Sequence, residues 1–289
     1  MSALQDTAWA KLNLTLEVLG RRVDGFHELK SLVAFARIGD TVELELQDAL
    51  QLVVDGPFAG ALGGDNLILK AAKAAAELGP GLRLGRFRLT KSLPVAAGLG
   101  GGSADAASAL RLVARANAGA LTQAQFSSIG TRLGSDVSVC LESMPALVTG
   151  RGEKVEPVRN FPACGVLLAN PGVPLATEAV YAALRAEAYT PGAEPRDKTL
   201  DFHGNFADLI AYALPRGNDL EPAAARLVPE IRDVLAALLA LPGVCLARLS
   251  GSGPTCFALF ATEEEAMQAL AELAAQRPAW WIAASVLGS

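Results

Sequence analysis

Histidine and cysteine are scarce. The 289 residues hold two histidines and four cysteines. With His27 and His203 far apart and no Cys-x-x-Cys pair, the ligand spacing of a zinc site is missing. Cys140, Cys164, Cys245 and Cys256 each lie in an apolar run, which is the setting of buried, reduced thiols and not of a disulfide framework. No Lys/Arg cluster occurs and the net charge is −5, which argues against nucleic acid as a partner. No apolar run approaches the length of roughly 18 residues that marks a membrane span. The N-terminus lacks a basic segment followed by an apolar one, so no signal peptide is expected. These absences predict a soluble, cytoplasmic protein with no membrane partner.

Apolar residues make up 51% and charged residues 19% of the chain, enough to build a sizeable core and too apolar for disorder. The length allows two domains, and Glu156 to Pro162 reads as a crossover, giving expected domains 1–158 and 159–289. Leu12, Leu14, Leu16 and Val18 alternate with Asn13, Thr15 and Glu17, predicting a first strand with Lys11 and Asn13 on its polar face. Further strands are expected near 29–36 and 41–46, with 51–54 pairing to the latter. Helices are expected at 66–78, from Ser103, at 122–133, at 221–241 and at 263–275, with strands at 86–93, 164–169, 244–249 and 255–260. The fold class read from this order is α+β.

The most informative segment is Lys91-Ser92-Leu93-Pro94-Val95-Ala96-Ala97-Gly98-Leu99-Gly100-Gly101-Gly102-Ser103-Ala104-Asp105. Four glycines occupy five positions between a predicted strand and a predicted helix. Backbone that can approach a ligand closely, followed by the unpaired N–H groups of a helix start, makes an anion site, most often for phosphate. It is not a Walker A loop, because Gly102 is followed by Ser103-Ala104 and not by Lys-Ser/Thr. Nor is it a Rossmann loop, because Ser103 stands at the third glycine position.

Four segments in order, Ala10-Lys11-Leu12-Asn13, the loop at 94–105, Gly134-Ser135-Asp136-Val137 and Leu249-Ser250-Gly251-Ser252-Gly253-Pro254, resemble the GHMP kinases. Arg22-Val23-Asp24-Gly25-Phe26-His27, Gly39-Asp40, Asp65-Asn66-Leu67, Asn170-Pro171-Gly172 and Asn218-Asp219-Leu220-Glu221 narrow the resemblance to members that phosphorylate a cytidine-diphosphate-linked branched tetritol. The resemblance implies a two-domain fold, with a ribosomal-S5-domain-2-like N-terminal domain and a ferredoxin-like α/β C-terminal domain. It also implies ATP and Mg2+. Lys11 and Asp136 match the catalytic pair, with Asp136 accepting the proton of the attacking hydroxyl. The stretch Pro94, Val95, Ala96, Ala97, Gly98, Leu99, Gly100, Gly101, Gly102, Ser103 and Ala104 matches the ATP loop, flanked by Asp65, Asn66 and Lys91. Asn13, Phe26, His27 and Tyr181 match the acceptor site, the aromatics holding cytosine by stacking.

Asp65 reads equally as a helix N-cap, and Tyr181 equally as a core residue. The magnesium ligands are not identified, Ser103 being the one candidate. Trp9, Ser138 and Cys140 depart from the family pattern. Two other readings stay open, a different GHMP kinase such as a homoserine kinase and an RNA-binding module. A monomer or weak homodimer is expected.

Overall fold

The computed structural model describes residues 3–61, 66–191 and 199–288. In chain order its strands and helices are β1 (Leu4–Asn13), β2 (Glu17–Arg21), β3 (His27–Leu46), β4 (Gln51–Asp55), α1 (Leu67–Leu78), β5 (Gly85–Thr90), α2 (Gly101–Ala116), α3 (Gln123–Leu133), α4 (Ser135–Glu142), β6 (Ala146–Gly150), β7 (Lys154–Pro157), β8 (Cys164–Asn170), α5 (Thr177–Leu184), α6 (Phe206–Ala213), α7 (Glu221–Leu227), α8 (Glu230–Leu239), β9 (Leu246–Leu249), β10 (Cys256–Phe260), α9 (Glu263–Gln276) and β11 (Trp281–Leu287). Contacts divide the chain into two compact units. The first is Met1–Lys11, Gly39–Val95 and Gly100–Ser143; the second is Leu12–Ile38, Ala96–Leu99 and Met144–Ser289. The units are thus interleaved along the chain. Among the described residues no helix is long and apolar enough to cross a membrane.

In the first unit β5 lies between β3 and β4. It pairs antiparallel with β3 from Thr41↔Thr90 to Leu46↔Gly85 and parallel with β4 from Gln51↔Arg86 to Asp55↔Thr90. The expected hairpin between 41–46 and 51–54 is therefore absent, because β5 takes the place between them. Helix α2 packs against α1 and α4. Its small residues Ala104, Ala106, Ala107 and Ala109 are all 2% exposed or less, so the neighbouring backbones can approach closely. Thr122 starts α3 with a capping box to Gln125, satisfying two helix-terminal N–H groups at once.

In the second unit β11, β8, β10 and β9 form one antiparallel series. The first half of β3 pairs with β2 and β6. Helices cover this sheet over a core that includes Leu167, Val180, Leu220, Ile231, Val234 and Phe260. The expected helix 221–241 is two helices, since Pro229 has no N–H to continue α7 and instead opens α8. Cys140, Cys164 and Cys256 are buried free thiols as expected, but Cys245 is exposed, because it lies just before β9 begins.

Asn218 ties the second glycine loop to this core. Its Nδ2 donates to the carbonyls of Leu249 and Gly251 at 2.9 and 2.8 Å, and its Oδ1 accepts from the Leu220 amide at 2.9 Å. Glu221 Oε2 accepts from Leu249 N at 3.0 Å. Truncating Asn218 leaves three backbone groups without their partner. Asn218→Ala is expected to lower the unfolding free energy by about 2–3 kcal/mol, read by urea denaturation; a loss below about 0.5 kcal/mol refutes this role.

Candidate active site

Lys11 lies near the end of β1, and its Nζ donates to Asp136 Oδ1 at 2.8 Å. The lysine side chain is 6% exposed and the aspartate 48%. The alternation from Leu12 predicts a solvated face for Lys11 and Asn13, but both are buried: β1 starts at Leu4 and ends at Asn13, and both of its faces are covered at this end. A buried ammonium needs a counter-charge, and Asp136 supplies it. Asp136 stands in the first turn of α4, at the positive end of that helix dipole. No helix is expected there from the sequence, so α4 is missed. Gly134 is both the C-cap of α3 and the N-cap of α4, which fixes where Asp136 enters the first unit.

The glycine loop meets this lysine through Gly100. Its φ is +63°, and a Cβ there would come within 3.0 Å of Lys11 Cε, so a side chain at this position would displace the lysine stem. Helix α2 begins at Gly101, two residues before the expected start, and no side chain caps its N-terminus. The first amides of α2 therefore have no side-chain acceptor. Gly102 and Ser103 are on that first turn and Ala104 N bonds to Gly100 O. The crest of the loop belongs to the second unit. Gly98 has φ +73°, and a Cβ there would run into the Ser250 carbonyl. Ser250 Oγ donates to Gly98 O at 2.9 Å, and Thr255 N donates to Ala97 O at 3.2 Å.

Lys91 is buried with its ammonium on two carboxylates. Nζ donates to Asp40 Oδ2 and, at 2.9 Å, to Asp105 Oδ2. Burial alone would lower the Lys91 pKa, but the charges of Asp105 and Asp40 outweigh it and hold it above its ordinary value. Burial pushes Asp105 up to about 7 against the attraction of Lys91. Asn66 Oδ1 accepts from Ile68 N at 2.8 Å as the N-cap of α1. Asp65 lies outside the described residues. The thiol of Cys140, behind Asp136, is pushed by burial up to about 12, which removes it as a nucleophile at neutral pH.

Phe26, His27 and Tyr181 lie in the second unit. Phe26 is 55% exposed, with the Arg151 guanidinium carbon 4.8 Å from its ring centroid. Its amide donates to Asp24 Oδ1. His27 and Tyr181 stack, with centroids 4.7 Å apart and planes at 28°. Burial, and then the charge of Arg21, lower the His27 pKa, so its ring is neutral near pH 7. Asn13 Nδ2 donates to Ser31 Oγ at 2.8 Å. Sequence reasoning missed Arg151, and it gave no individual role to Asp40, Asp105 or Ser250, though each lies in a motif it singled out. Asp40 left a signal, since Gly39-Asp40 is one of the motifs that carry the family resemblance.

Two family models match the chain. "GHMP kinases N terminal domain" covers residues 66–143 and "GHMP kinases C terminal" covers 201–279. A protein of Rhodopseudomonas palustris strain BisB5 named 4-diphosphocytidyl-2-C-methyl-D-erythritol kinase is 48% identical, over 99% of this chain and 100% of its own length. A protein of the same name from Parvibaculum lavamentivorans is 46% identical over 98% of both chains. Among solved structures, a 4-(cytidine 5'-diphospho)-2C-methyl-D-erythritol kinase is 33% identical with a TM-score of 0.79, covering 99% of this chain and 100% of its own. The homoserine kinase of Cytophaga hutchinsonii, at 19% identity and TM-score 0.72 over 99% and 94%, shares the fold. With the ordered motifs, the α+β GHMP kinase fold and these matches over nearly the whole length, the chain belongs to the 4-diphosphocytidyl-2-C-methyl-D-erythritol kinases, ATP-using GHMP kinases of a small-molecule alcohol.

Proposed function

We propose that the chain transfers the γ-phosphoryl group of ATP to the 2-hydroxyl of 4-diphosphocytidyl-2-C-methyl-D-erythritol, giving the 2-phosphate and ADP, as a cytoplasmic monomer or weak homodimer of the non-mevalonate isoprenoid route. The observation that carries this reading is the Lys11–Asp136 ion pair, with Gly100 of the glycine loop packed on the lysine stem. Phosphoryl transfer asks for positioning and charge neutralisation more than covalent chemistry. The acceptor oxygen forms the new bond to phosphorus as the bond to the β-phosphate oxygen breaks. Asp136 takes the hydroxyl proton. Lys11 holds the Asp136 carboxylate in place and offers positive charge to the oxygen that loses that proton.

The residues from Pro94 to Ala104 hold the ATP phosphates, through backbone amides and the uncapped start of α2. Lys91 and Asn66 flank that loop, and Asp65 is assigned beside them by family match. No group of three or more His, Cys, Asp or Glu side chains able to hold a metal occurs among the described residues. Mg2+ is usually carried on substrate phosphates with few protein ligands, and Ser103, on the first turn of α2, is the side chain assigned to it. When bound, Mg2+ neutralises phosphate charge.

Phe26 and Tyr181 supply ring faces for cytosine. The neutral His27 supplies a hydrogen bond to its edge, and Asn13 is assigned to the same acceptor site. The exposed Phe26 ring supports this, since an aromatic with one open face is a stacking platform. The homoserine kinase alternative has less support, because the likeness to that enzyme extends only to the fold.

ADP release is expected with the cytidine-linked alcohol and not with homoserine; the reverse preference overturns the reading. Asp136→Asn is expected to lower kcat by about 10²–10⁴-fold with KM for both substrates within about threefold, and near-normal kcat would make Asp136 structural. Phe26→Ala is expected to raise KM for the cytidine substrate roughly tenfold, the loss of one base stack, and to leave KM for ATP unchanged. Equal effects on both substrates would place Phe26 outside the base site.

A further inference from the structure

The buried ions around Lys91 join the two ends of the glycine loop inside the first unit. Asp40 is 0% exposed and Lys91 2%. Asp40 Oδ1 accepts from the amides of Ser92 and Leu93, at 2.6 and 2.8 Å, the two residues that lead into the loop at Pro94. Its other oxygen accepts from Lys91 Nζ. That ammonium reaches Asp105, one turn into the helix that leaves the loop. A Cβ on Gly101, the first residue of α2, would lie 3.0 Å from Lys91 Nζ and 3.7 Å from Asp40 Oδ2, so the helix start rests directly on the ion pair. One carboxylate thus accepts from three donors: two amides fix the segment that enters the loop, and the cation it holds fixes the exit helix.

We propose that Asp40 is a positioning residue for nucleotide binding: it sets the direction of the loop amides by anchoring Ser92 and Leu93 and, through Lys91, the first turn of α2. Lys91 then acts from beneath the loop and not as a phosphate ligand. It also cancels part of the charge of two carboxylates that would otherwise oppose an anionic nucleotide at the helix start. Amides aimed before the ligand arrives need no reordering on binding, so the loss should appear in nucleotide affinity and not in the chemical step. The inference rests on the reading of the loop as the ATP site.

The test is steady-state kinetics of Asp40→Asn beside the wild-type enzyme, with a thermal melt of each. The amide keeps its oxygen for Ser92 and Leu93 but turns an N–H₂ toward the Lys91 ammonium, a donor facing a donor. The expected result is a KM for ATP raised about tenfold, kcat at saturating ATP within about threefold, and KM for the acceptor within about twofold. A variant that melts lower while KM for ATP stays within twofold overturns the proposal, as does an equal rise in both KM values, which would mark general loosening. If Asp40→Asn does not accumulate, Asp40→Asn with Lys91→Gln, which removes the buried cation together with its anion, is read by the same criteria. Failure of both to accumulate also overturns it, by making the cluster a folding element only. A wild-type enzyme that does not turn over ATP overturns the reading of the loop itself, whereas normal ATP kinetics in an active Asp40 variant overturns only the positioning role.

Discussion

A charge removed from water must be met where it sits, and among the described residues three buried cations are met in this way. Lys91 has Asp40 and Asp105, Lys11 has Asp136, and Arg248, 7% exposed, has two carbonyls, those of Leu14 and Ala213. An ion pair of this kind adds little net stability over a well-packed apolar replacement, but breaking it by removing one partner is costly. What it does supply is geometry, because each partner tolerates few other positions. The pairs of Lys11 and Lys91 both border the glycine loop, at Gly100 and at Gly101. The least adaptable interactions of the first unit are therefore next to the segment whose backbone direction matters most.

The second unit meets the same need with neutral groups. Asn218 bonds three backbone groups around the second glycine loop, and Ser250 Oγ in that loop bonds Gly98 O. The segments around both loops are thus secured by side chains that satisfy backbone polar groups, which leaves the loop glycines free of that duty. For a reaction that depends on aligned donors more than on a reactive side chain, this is the economical arrangement.

The sequence carried the loop and much of the element order, because glycine spacing and capping residues act locally, whereas Lys11 and Asp136 were assigned only through the family resemblance. Thr122 and Asn66 begin helices as their side chains predict, and Gly134 ends one. Long-range pairing was not legible. Gly39-Asp40 falls in the gap between two expected strands, yet β3 runs unbroken through it, and Asp40 finds Lys91, Ser92 and Leu93 some fifty residues on. Lys11 looks solvated because its partner is 125 positions away. The parallel pairing of β4 with β5 leaves no mark in either strand, and α4 is too short for a helical period to stand out from an apolar run. Phe26 and His27 were assigned through the family resemblance and not from the turn that precedes them, and Arg151, which covers one face of Phe26, comes from a different hairpin and has no sequence signal of its own.

The anchoring of the loop at both ends has a consequence for how such a sequence can vary. Leu93 is held through its amide and Gly101 rests on the Lys91–Asp40 pair, so the chain between them spans a set distance with a set number of residues. Side chains there can be exchanged one for another, within the room that Gly98 and Gly100 leave, but an inserted or deleted residue would pull one anchor from its charge. Surface loops ordinarily absorb length changes at small entropic cost. This one is a segment of fixed count, and its length is as much a part of the site as any side chain in it.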